Sequence, residues 1–101
     1  MVTDGQRKSR NQEKAWAAKV GGKVNPGSGN GWRHKNDVRT EKYSDELKYT
    51  DKKSFPLKLA DLITAERNAL ADGKDMRFVI NLGGRNWVLV ADYTFDTLLE
   101  E

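Results

Sequence analysis

The chain contains no cysteine among its 101 residues. Disulfide bonds and zinc sites built from thiolates are therefore excluded, and this composition fits a reducing compartment. No apolar run approaches the roughly 20 residues that cross a bilayer. The polar segment 1–11 also lacks the apolar core of a secretory signal. We therefore expect a cytoplasmic protein without a membrane-spanning segment.

The chain also lacks a large excess of charge of either sign, because it has 18 Lys and Arg residues and 15 Asp and Glu residues. The resulting net charge of +3 permits a polyanionic partner but does not require one. Acidic residues gather near the C-terminus, which leaves residues 1–58 distinctly basic. With 37% hydrophobic residues, we expect one domain over residues 11–101 after a flexible segment at residues 1–10. A core this small often gains stability by oligomerising.

Hydrophobic periodicity and turn residues divide the chain into helices and strands. Apolar residues at helical spacing predict helices, alternating apolar residues predict strands, and glycine-rich segments predict the turns between them. The predicted order is α-β-β-β-α-β-β-α. The predicted helices lie near residues 11–20, 56–73 and 94–100, and the strands near 23–25, 37–39, 44–50, 76–82 and 87–91.

One loop, at residues 25–36, differs from the others in its composition. It combines a turn of small residues, Gly27-Ser28-Gly29, with a tryptophan among cations at residues 32–35. A tryptophan in a loop with few other hydrophobic residues is unusual. We therefore interpret this loop as functional.

Acidic residues and a lysine follow this loop in an order that suits phosphodiester hydrolysis. Asp37 and Glu46 lie on neighbouring predicted strands, so both can reach one Mg²⁺ ion, and the Leu47 carbonyl can add a ligand. Lys48 shares a strand face with Glu46, where its ammonium can orient the water or stabilise the pentavalent phosphorane. Glu13, on the first helix, can approach from the side and bind a second ion or its water.

The acid-x-lysine pattern alone is weak, because the chain contains it at residues 46–48, 51–53 and 72–74. The first instance is interleaved with core-type residues on a strand, the second lies in a predicted loop, and the third lies at a helix terminus. The competing interpretation of Glu46 and Lys48 is an ordinary ion pair on an exposed strand face.

From residue 13 to residue 90 the chain resembles the PD-(D/E)XK nuclease superfamily and, within it, the small archaeal and phage Holliday junction resolvases. The resemblance depends on Glu13 in the first helix, the turn Gly27-Ser28-Gly29, Asp37 opening a strand, and Glu46-Leu47-Lys48 on the next strand. A helix and a final hairpin complete the pattern. Residues 52–55 also resemble phage members, whereas Asn36 stands where these proteins often have proline.

This resemblance implies a restriction-endonuclease-like core, in which a central mixed β-sheet is flanked by helices. It also implies a homodimer that binds branched DNA and cuts two strands with Mg²⁺, with Mn²⁺ able to substitute, in a phage or prokaryotic host cell. The implied catalytic residues are Glu13, Asp37, Glu46 and Lys48. The implied metal ligands are Asp37, Glu46, Glu13 and the Leu47 carbonyl.

Further residues are expected to contact DNA or to pack. The expected DNA contacts are Ser28, Trp32, Arg33, His34, Lys35, Lys52, Lys53 and Lys58. The competing interpretations are a turn serine, a tryptophan that caps the core, solvated surface cations, and a structural or exposed histidine. The aromatic residues assigned to the core or to a dimer interface are Trp16, Phe78, Trp87 and Phe95.

Three functional hypotheses follow. The first is a structure-selective endonuclease acting on Holliday junctions or similar branched DNA. The second is a nicking or site-specific nuclease of the same fold, for instance of the homing type. The third is a non-catalytic DNA-binding module. The acidic set disfavours the third, because a binding module has no need for an acidic cluster facing phosphates.

Overall fold

A computed structural model describes residues 3–26 and 35–101. Four of the expected DNA contacts lie outside the described residues, together with the turn at residues 27–29: Ser28, Trp32, Arg33 and His34. The described elements, in chain order, are α1 (Asp4–Val20), β1 (Lys23–Val24), β2 (Val38–Arg39), β3 (Tyr43–Tyr49), α2 (Leu59–Ala71), β4 (Asp75–Leu82), β5 (Arg85–Val90) and α3 (Asp92–Leu99). The predicted order of helices and strands is confirmed.

The five strands form one open mixed sheet in the order β1-β2-β3-β4-β5. Strands β1, β2 and β3 pair antiparallel, β3 and β4 pair parallel, and β4 and β5 pair antiparallel. A parallel pair needs a long crossover connection, and α2 supplies it. The structure is therefore a mixed α/β fold.

The sheet carries α1 on one face and α2 on the other. Trp16 and Ala17 of α1 pack with Val79 of β4, whereas Ala65 and Ala69 of α2 pack with its neighbour Phe78. Successive side chains of a strand point to opposite faces of the sheet, so the two helices must lie on opposite faces. Phe78 and Val79 are both fully buried, and each anchors one of the two halves of the core.

Helix α1 begins at Asp4, so the prediction of a start near Asn11 is wrong. The Thr3 hydroxyl accepts a hydrogen bond from the Gln6 backbone, and the Gln6 side chain accepts one from the Thr3 backbone. Lys8 pairs with Asp4 one turn away and with Asp51 beyond β3. The helix ends as predicted, because Gly21 adopts the left-handed conformation (φ 68°) that favours glycine.

Helix α2 begins at Leu59, so the placement of Pro56 in its first turn is wrong. Lys58 is the capping residue, and its extended backbone separates the proline from the helix. The helix buries a narrower face than its apolar spacing indicates, because only Ala65 and Ala69 are fully covered. No helix in the described part of the chain combines the length and the apolar character needed to span a bilayer.

The hairpin of β4 and β5 and the following helix leave aromatic residues exposed. Two glycines with positive φ, Gly83 and Gly84, form the predicted tight turn between the strands. Trp87 on β5 and Phe95 on α3 are 50% and 51% exposed, so neither lies in the core, and their alternative assignment to a dimer interface stays a prediction. Helix α3 buries only Thr94. Trp16 and Phe78, in contrast, are buried as expected.

Candidate functional site

The site lies where β3 extends past its short neighbour β2. In the described residues, β2 pairs only with Ser44 and Asp45 of β3, and Asp37 immediately precedes β2. The Asp37 amide donates to the Asp45 carbonyl at 2.9 Å, and the Asp37 Oδ2 accepts from the Leu47 amide at 2.9 Å. The Asp37 carboxylate thus accepts the hydrogen bond that a backbone carbonyl would accept if β2 were longer. Asp37 is therefore held opposite Glu46 by the backbone of both strands.

Glu46 and Lys48 form an ion pair on one face of β3, with 3.4 Å between the Lys48 Nζ and the Glu46 Oε2. Alternation along the strand puts the two side chains on the same face, as the sequence predicts. Their side chains are 23% and 35% exposed, so each is partly withdrawn from water but still accessible. An incoming phosphate can therefore reach both groups.

The pKa of the Glu46 carboxyl group is well above its ordinary value. Burial raises its pKa to about 7, and the charge and hydrogen bonding of Asp37 add to this effect. Lys48 opposes it by favouring the charged form. Two carboxyl groups this close resist being ionised together unless a cation is present. Binding of a metal ion would therefore release the proton that Glu46 retains near neutral pH.

Glu13 approaches the pair from α1. It is half-buried, and its pKa is raised first by burial and then by the charge of Asp37, whereas Arg10 lowers it. Because its pKa responds to Asp37, Glu13 lies within electrostatic reach of that carboxylate. The structure thus brings Asp37, Glu46 and Lys48 together and places Glu13, on α1, within electrostatic reach of Asp37.

The donor atoms available here suit a hard divalent cation. Within residues 3–26 and 35–101, no group of three or more Asp, Glu, His or Cys side chains is arranged as a metal site. Asp37 and Glu46 therefore act as a pair of carboxyl groups within the described residues. Mg²⁺ characteristically binds through one or two carboxylates and keeps several water ligands. The Asp37–Glu46 pair fits that requirement, and the Leu47 carbonyl remains a predicted additional ligand.

The cations that the sequence assigns to DNA contacts are exposed wherever they are described. Lys35 lies two residues before Asp37, Lys52 and Lys53 follow the end of β3, and Lys58 caps α2. None of the four forms an ion pair with another described residue within 4 Å. All four are therefore available to a polyanion.

Sequence reasoning missed a buried acidic residue beside the site. Asp45, fully buried, accepts hydrogen bonds from the Trp16 Nε1 at 2.7 Å and from the Arg77 Nε and Nη2 at 2.8 and 2.7 Å. The Arg77 guanidinium also lies 4.1 Å from the centre of the Tyr43 ring. The available signal was alternation, which places Asp45 on the same face as the core residue Leu47. This network fixes the strand that carries Glu46.

Gln12 was also missed, and it connects α1 to the site. Its buried Nε2 donates to the Lys48 carbonyl at 3.1 Å and to the Asn86 Oδ1 at 3.3 Å. The Asn81 Nδ2 donates to the same Asn86 oxygen at 3.0 Å. Gln12 precedes Glu13, so these bonds set the position of Glu13 relative to β3. The only signal for Gln12 in the sequence was its position on the narrow face of α1 that also carries Trp16.

Comparison with known proteins adds no relative to this description. No family model matches the chain, and neither a curated protein nor a solved structure matches it. The functional interpretation therefore depends on the geometry of the site and on the sequence motifs.

Proposed function

We propose that the protein is a Mg²⁺-dependent, structure-selective DNA endonuclease that resolves Holliday junctions or related branched DNA by paired phosphodiester cleavage. The observation that carries this proposal is the carboxyl pair. Asp37, immediately before β2, is held beside Glu46 of β3, and the Lys48 Nζ lies 3.4 Å from the Glu46 Oε2. A divalent cation held by two carboxylates, with a lysine beside it, can activate a water and neutralise the charge of the phosphate, which are the needs of phosphodiester hydrolysis.

The electrostatics of the pair favour a cation-binding site over a purely structural ion pair. Asp45, the structural acid of this strand, is neutralised bidentately by Arg77. Glu46, in contrast, keeps a raised pKa despite Lys48, because burial and Asp37 outweigh the lysine. The negative charge of Asp45 is thus balanced by Arg77, whereas that of Glu46 is only partly balanced by Lys48. Glu46 is the residue that the motif assigns to metal binding.

The architecture also supports the proposal. The resolvase-like pattern requires a helical glutamate, an aspartate that opens a strand, Glu-x-Lys on the next strand, a helix and a final hairpin. Each described part occurs in this order, from Glu13 on α1 to the hairpin of β4 and β5. A restriction-endonuclease-like core is therefore part of the proposal.

The roles of the side chains follow from their positions. A Mg²⁺ ion, for which Mn²⁺ can substitute, would neutralise the phosphate charge and activate a water when bound by Asp37 and Glu46. Lys48 is positioned to orient that water or to stabilise the phosphorane. Glu13 contributes negative charge on the α1 side, where it can hold a water or a second ion. The exposed lysines beyond β3 bind the phosphates that flank the cleaved one.

Paired cleavage requires two sites, so the proposal includes a homodimer. The surface of β5 and α3 carries exposed apolar side chains and is the candidate interface: Trp87, Tyr93, Phe95, Leu98 and Leu99. Exposed apolar side chains grouped on neighbouring elements often mark a site of association. A cytoplasmic location in a phage-infected or prokaryotic cell completes the proposal.

Cleavage of a matched set of DNA substrates tests the proposal. Purified protein and Mg²⁺ would be incubated with a four-way junction, a flap and a linear duplex of the same sequence. Preferential paired cuts in the junction support resolution. Single nicks in the duplex instead support the nicking or site-specific alternative. Binding of DNA without cleavage under any metal condition would favour the non-catalytic module and overturn the proposal.

A further inference from the structure

A groove beside the site has no role in the proposal above. It runs between the N-terminal half of α1 and the end of β3, and its volume is about 600 Å³. A volume of this size lies within the usual range of small-molecule sites. The lining residues are Thr3, Gly5, Gln6, Ser9, Arg10 and Tyr49.

The groove shares both of its walls with the proposed active site. Arg10 precedes Glu13 by three residues on α1, which is about one helical turn. Tyr49 follows Lys48 directly on β3. The charge of Arg10 is felt at Glu13, where it lowers the pKa. Alternation along β3 turns Tyr49 to the α1 face, opposite to Glu46 and Lys48, so a ligand in the groove would lie on the α1 side of the proposed site, one helical turn from Glu13.

The chemistry of the walls suits a nucleotide. Arg10 is exposed, and no other described residue forms an ion pair with it within 4 Å, so its guanidinium is available to a phosphate. Ser9 adds a hydroxyl group, and Gln6 adds amide hydrogens, since its Oε1 already accepts from the Thr3 backbone. Tyr49 presents an aromatic ring of the kind on which bases stack.

The Tyr49 ring is held in place before any ligand arrives. Its hydroxyl donates to the Asp51 Oδ1 at 2.6 Å, and the same oxygen lies 3.2 Å from the Lys8 Nζ. Lys8 also lies 5.8 Å from the centre of the ring. These contacts tie α1, β3 and the turn after it together at the groove. An ordered ring loses less conformational entropy when a base stacks on it.

We propose that this groove binds one unpaired nucleotide of the DNA strand, on the α1 side of the site at which the strand is cleaved. The proposal rests on the proposed endonuclease function. A base inside a duplex exposes only its edge, whereas a ring such as Tyr49 needs an exposed base face. Unpaired nucleotides occur at branch points, so the groove gives a physical reason for preferring branched DNA to a linear duplex.

Binding without metal tests this proposal separately from cleavage. The affinities for a labelled single-stranded pentanucleotide and for a blunt duplex would be measured by fluorescence anisotropy in EDTA. Arg10→Ala would be compared with Arg67→Ala, which removes the same charge from an exposed position on α2. We expect Arg10→Ala and Tyr49→Leu each to weaken single-strand binding about tenfold, because one base contact typically contributes that much. Arg67→Ala should change it less than about twofold, as expected of a nonspecific surface charge.

The duplex is the internal control, since both arginine variants should weaken its binding by the same small factor. Equal losses of single-strand binding in Arg10→Ala and Arg67→Ala would overturn the groove proposal. So would a wild-type protein that does not bind the pentanucleotide. A protein that binds the single strand through Arg10 but cuts no DNA with Mg²⁺ would overturn the endonuclease proposal and leave the groove as a nucleotide site. Thermal unfolding of each variant verifies that the fold is intact.

Discussion

Asp45 and Glu46 are consecutive acids on one strand with opposite environments. Asp45 is fully buried and accepts hydrogen bonds from Trp16 and Arg77. Glu46 is half-buried and lies beside Asp37 and Lys48. Because adjacent strand residues face opposite sides, one acid can stabilise the strand while the other stays available for chemistry. The structural acid thereby fixes the backbone from which Glu46 projects.

Removing the structural acid should cost considerable stability. Asp45→Ala leaves the Arg77 guanidinium and the Trp16 indole N–H without their acceptor in the core. Loss of one partner of a buried ion pair typically costs about 3–5 kcal/mol. Asp96→Ala, at an exposed position on α3, is the matched control and should cost less than about 1 kcal/mol. Urea unfolding measures both, and equal costs for the two variants would show that the network does not stabilise the fold.

Glu46 should make the stability of the metal-free protein depend on pH. Its pKa is about 7 in the folded state against an ordinary 4.5, so the folded protein binds the proton more tightly. Stability should therefore fall as the pH rises from about 4.5 to about 7 and then level off, with a slope of at most about 1.4 kcal/mol per pH unit. The raised pKa of Glu13 adds to the effect in the same direction.

Denaturant unfolding in EDTA at several pH values measures this slope. Glu46→Gln should remove most of it, because glutamine does not titrate. An unchanged slope in Glu46→Gln would mean that the carboxyl pair is not the source of the pH dependence.

At the scale of elements, α1 determines where Glu13 lies. The Gln12 amide ties this helix to the Lys48 carbonyl and to Asn86 on β5. Gln12→Ala should destabilise the fold by about 1–2 kcal/mol, because the Lys48 carbonyl loses this donor and the Asn86 oxygen keeps only that of Asn81. It should also weaken Mg²⁺ binding, since Glu13 would lose its fixed distance from Asp37.

Calorimetric titration with Mg²⁺ and thermal unfolding separate the two effects of Gln12→Ala. Asn11→Ala, at the exposed neighbouring position, is the control and should leave both measurements near wild type. A lower melting temperature with unchanged Mg²⁺ affinity would show that Gln12 stabilises the fold without positioning Glu13.

Local patterns predict most of the elements, and tertiary contacts explain the rest. Periodicity and glycine turns are local, so the order of elements and the proximity of Asp37, Glu46 and Lys48 could be predicted from the sequence. The start of α1 has a local signal that the prediction overlooked, the capping-box spacing of Thr3 and Gln6, whereas the pairing of Lys8 with distant Asp51 could not be read from the sequence. The role of Asp45 likewise depends on Arg77, which lies 32 residues away in the sequence.

At the scale of the molecule, the apolar surface of β5 and α3 should mediate dimerisation. Two copies that associate stably typically bury about 800 Å² each, and exposed aromatic and leucine side chains are suitable contributors. Leu98→Asp should convert a dimer at micromolar concentration to a monomer without loss of helix content. Leu57→Asp introduces the same charge at a 44% exposed leucine before α2 and should leave the dimer intact.

Sedimentation of the free protein, together with circular dichroism, measures this outcome. A strict monomer that still cuts both strands of a junction in one binding event would contradict the dimer. A monomer that only nicks would instead favour the second functional hypothesis.

The central claim is that Asp37 and Glu46 form the metal site of a nuclease, and cleavage of a four-way junction by the two isosteric variants tests it most directly. Asp37→Asn and Glu46→Gln each remove one charged ligand while preserving shape. With Mg²⁺, both should lose cleavage by at least about 100-fold, because a metal ligand contributes several kcal/mol to the transition state. Junction binding should persist or tighten, since carboxylates repel phosphates. Near wild-type cleavage by both variants would contradict the account.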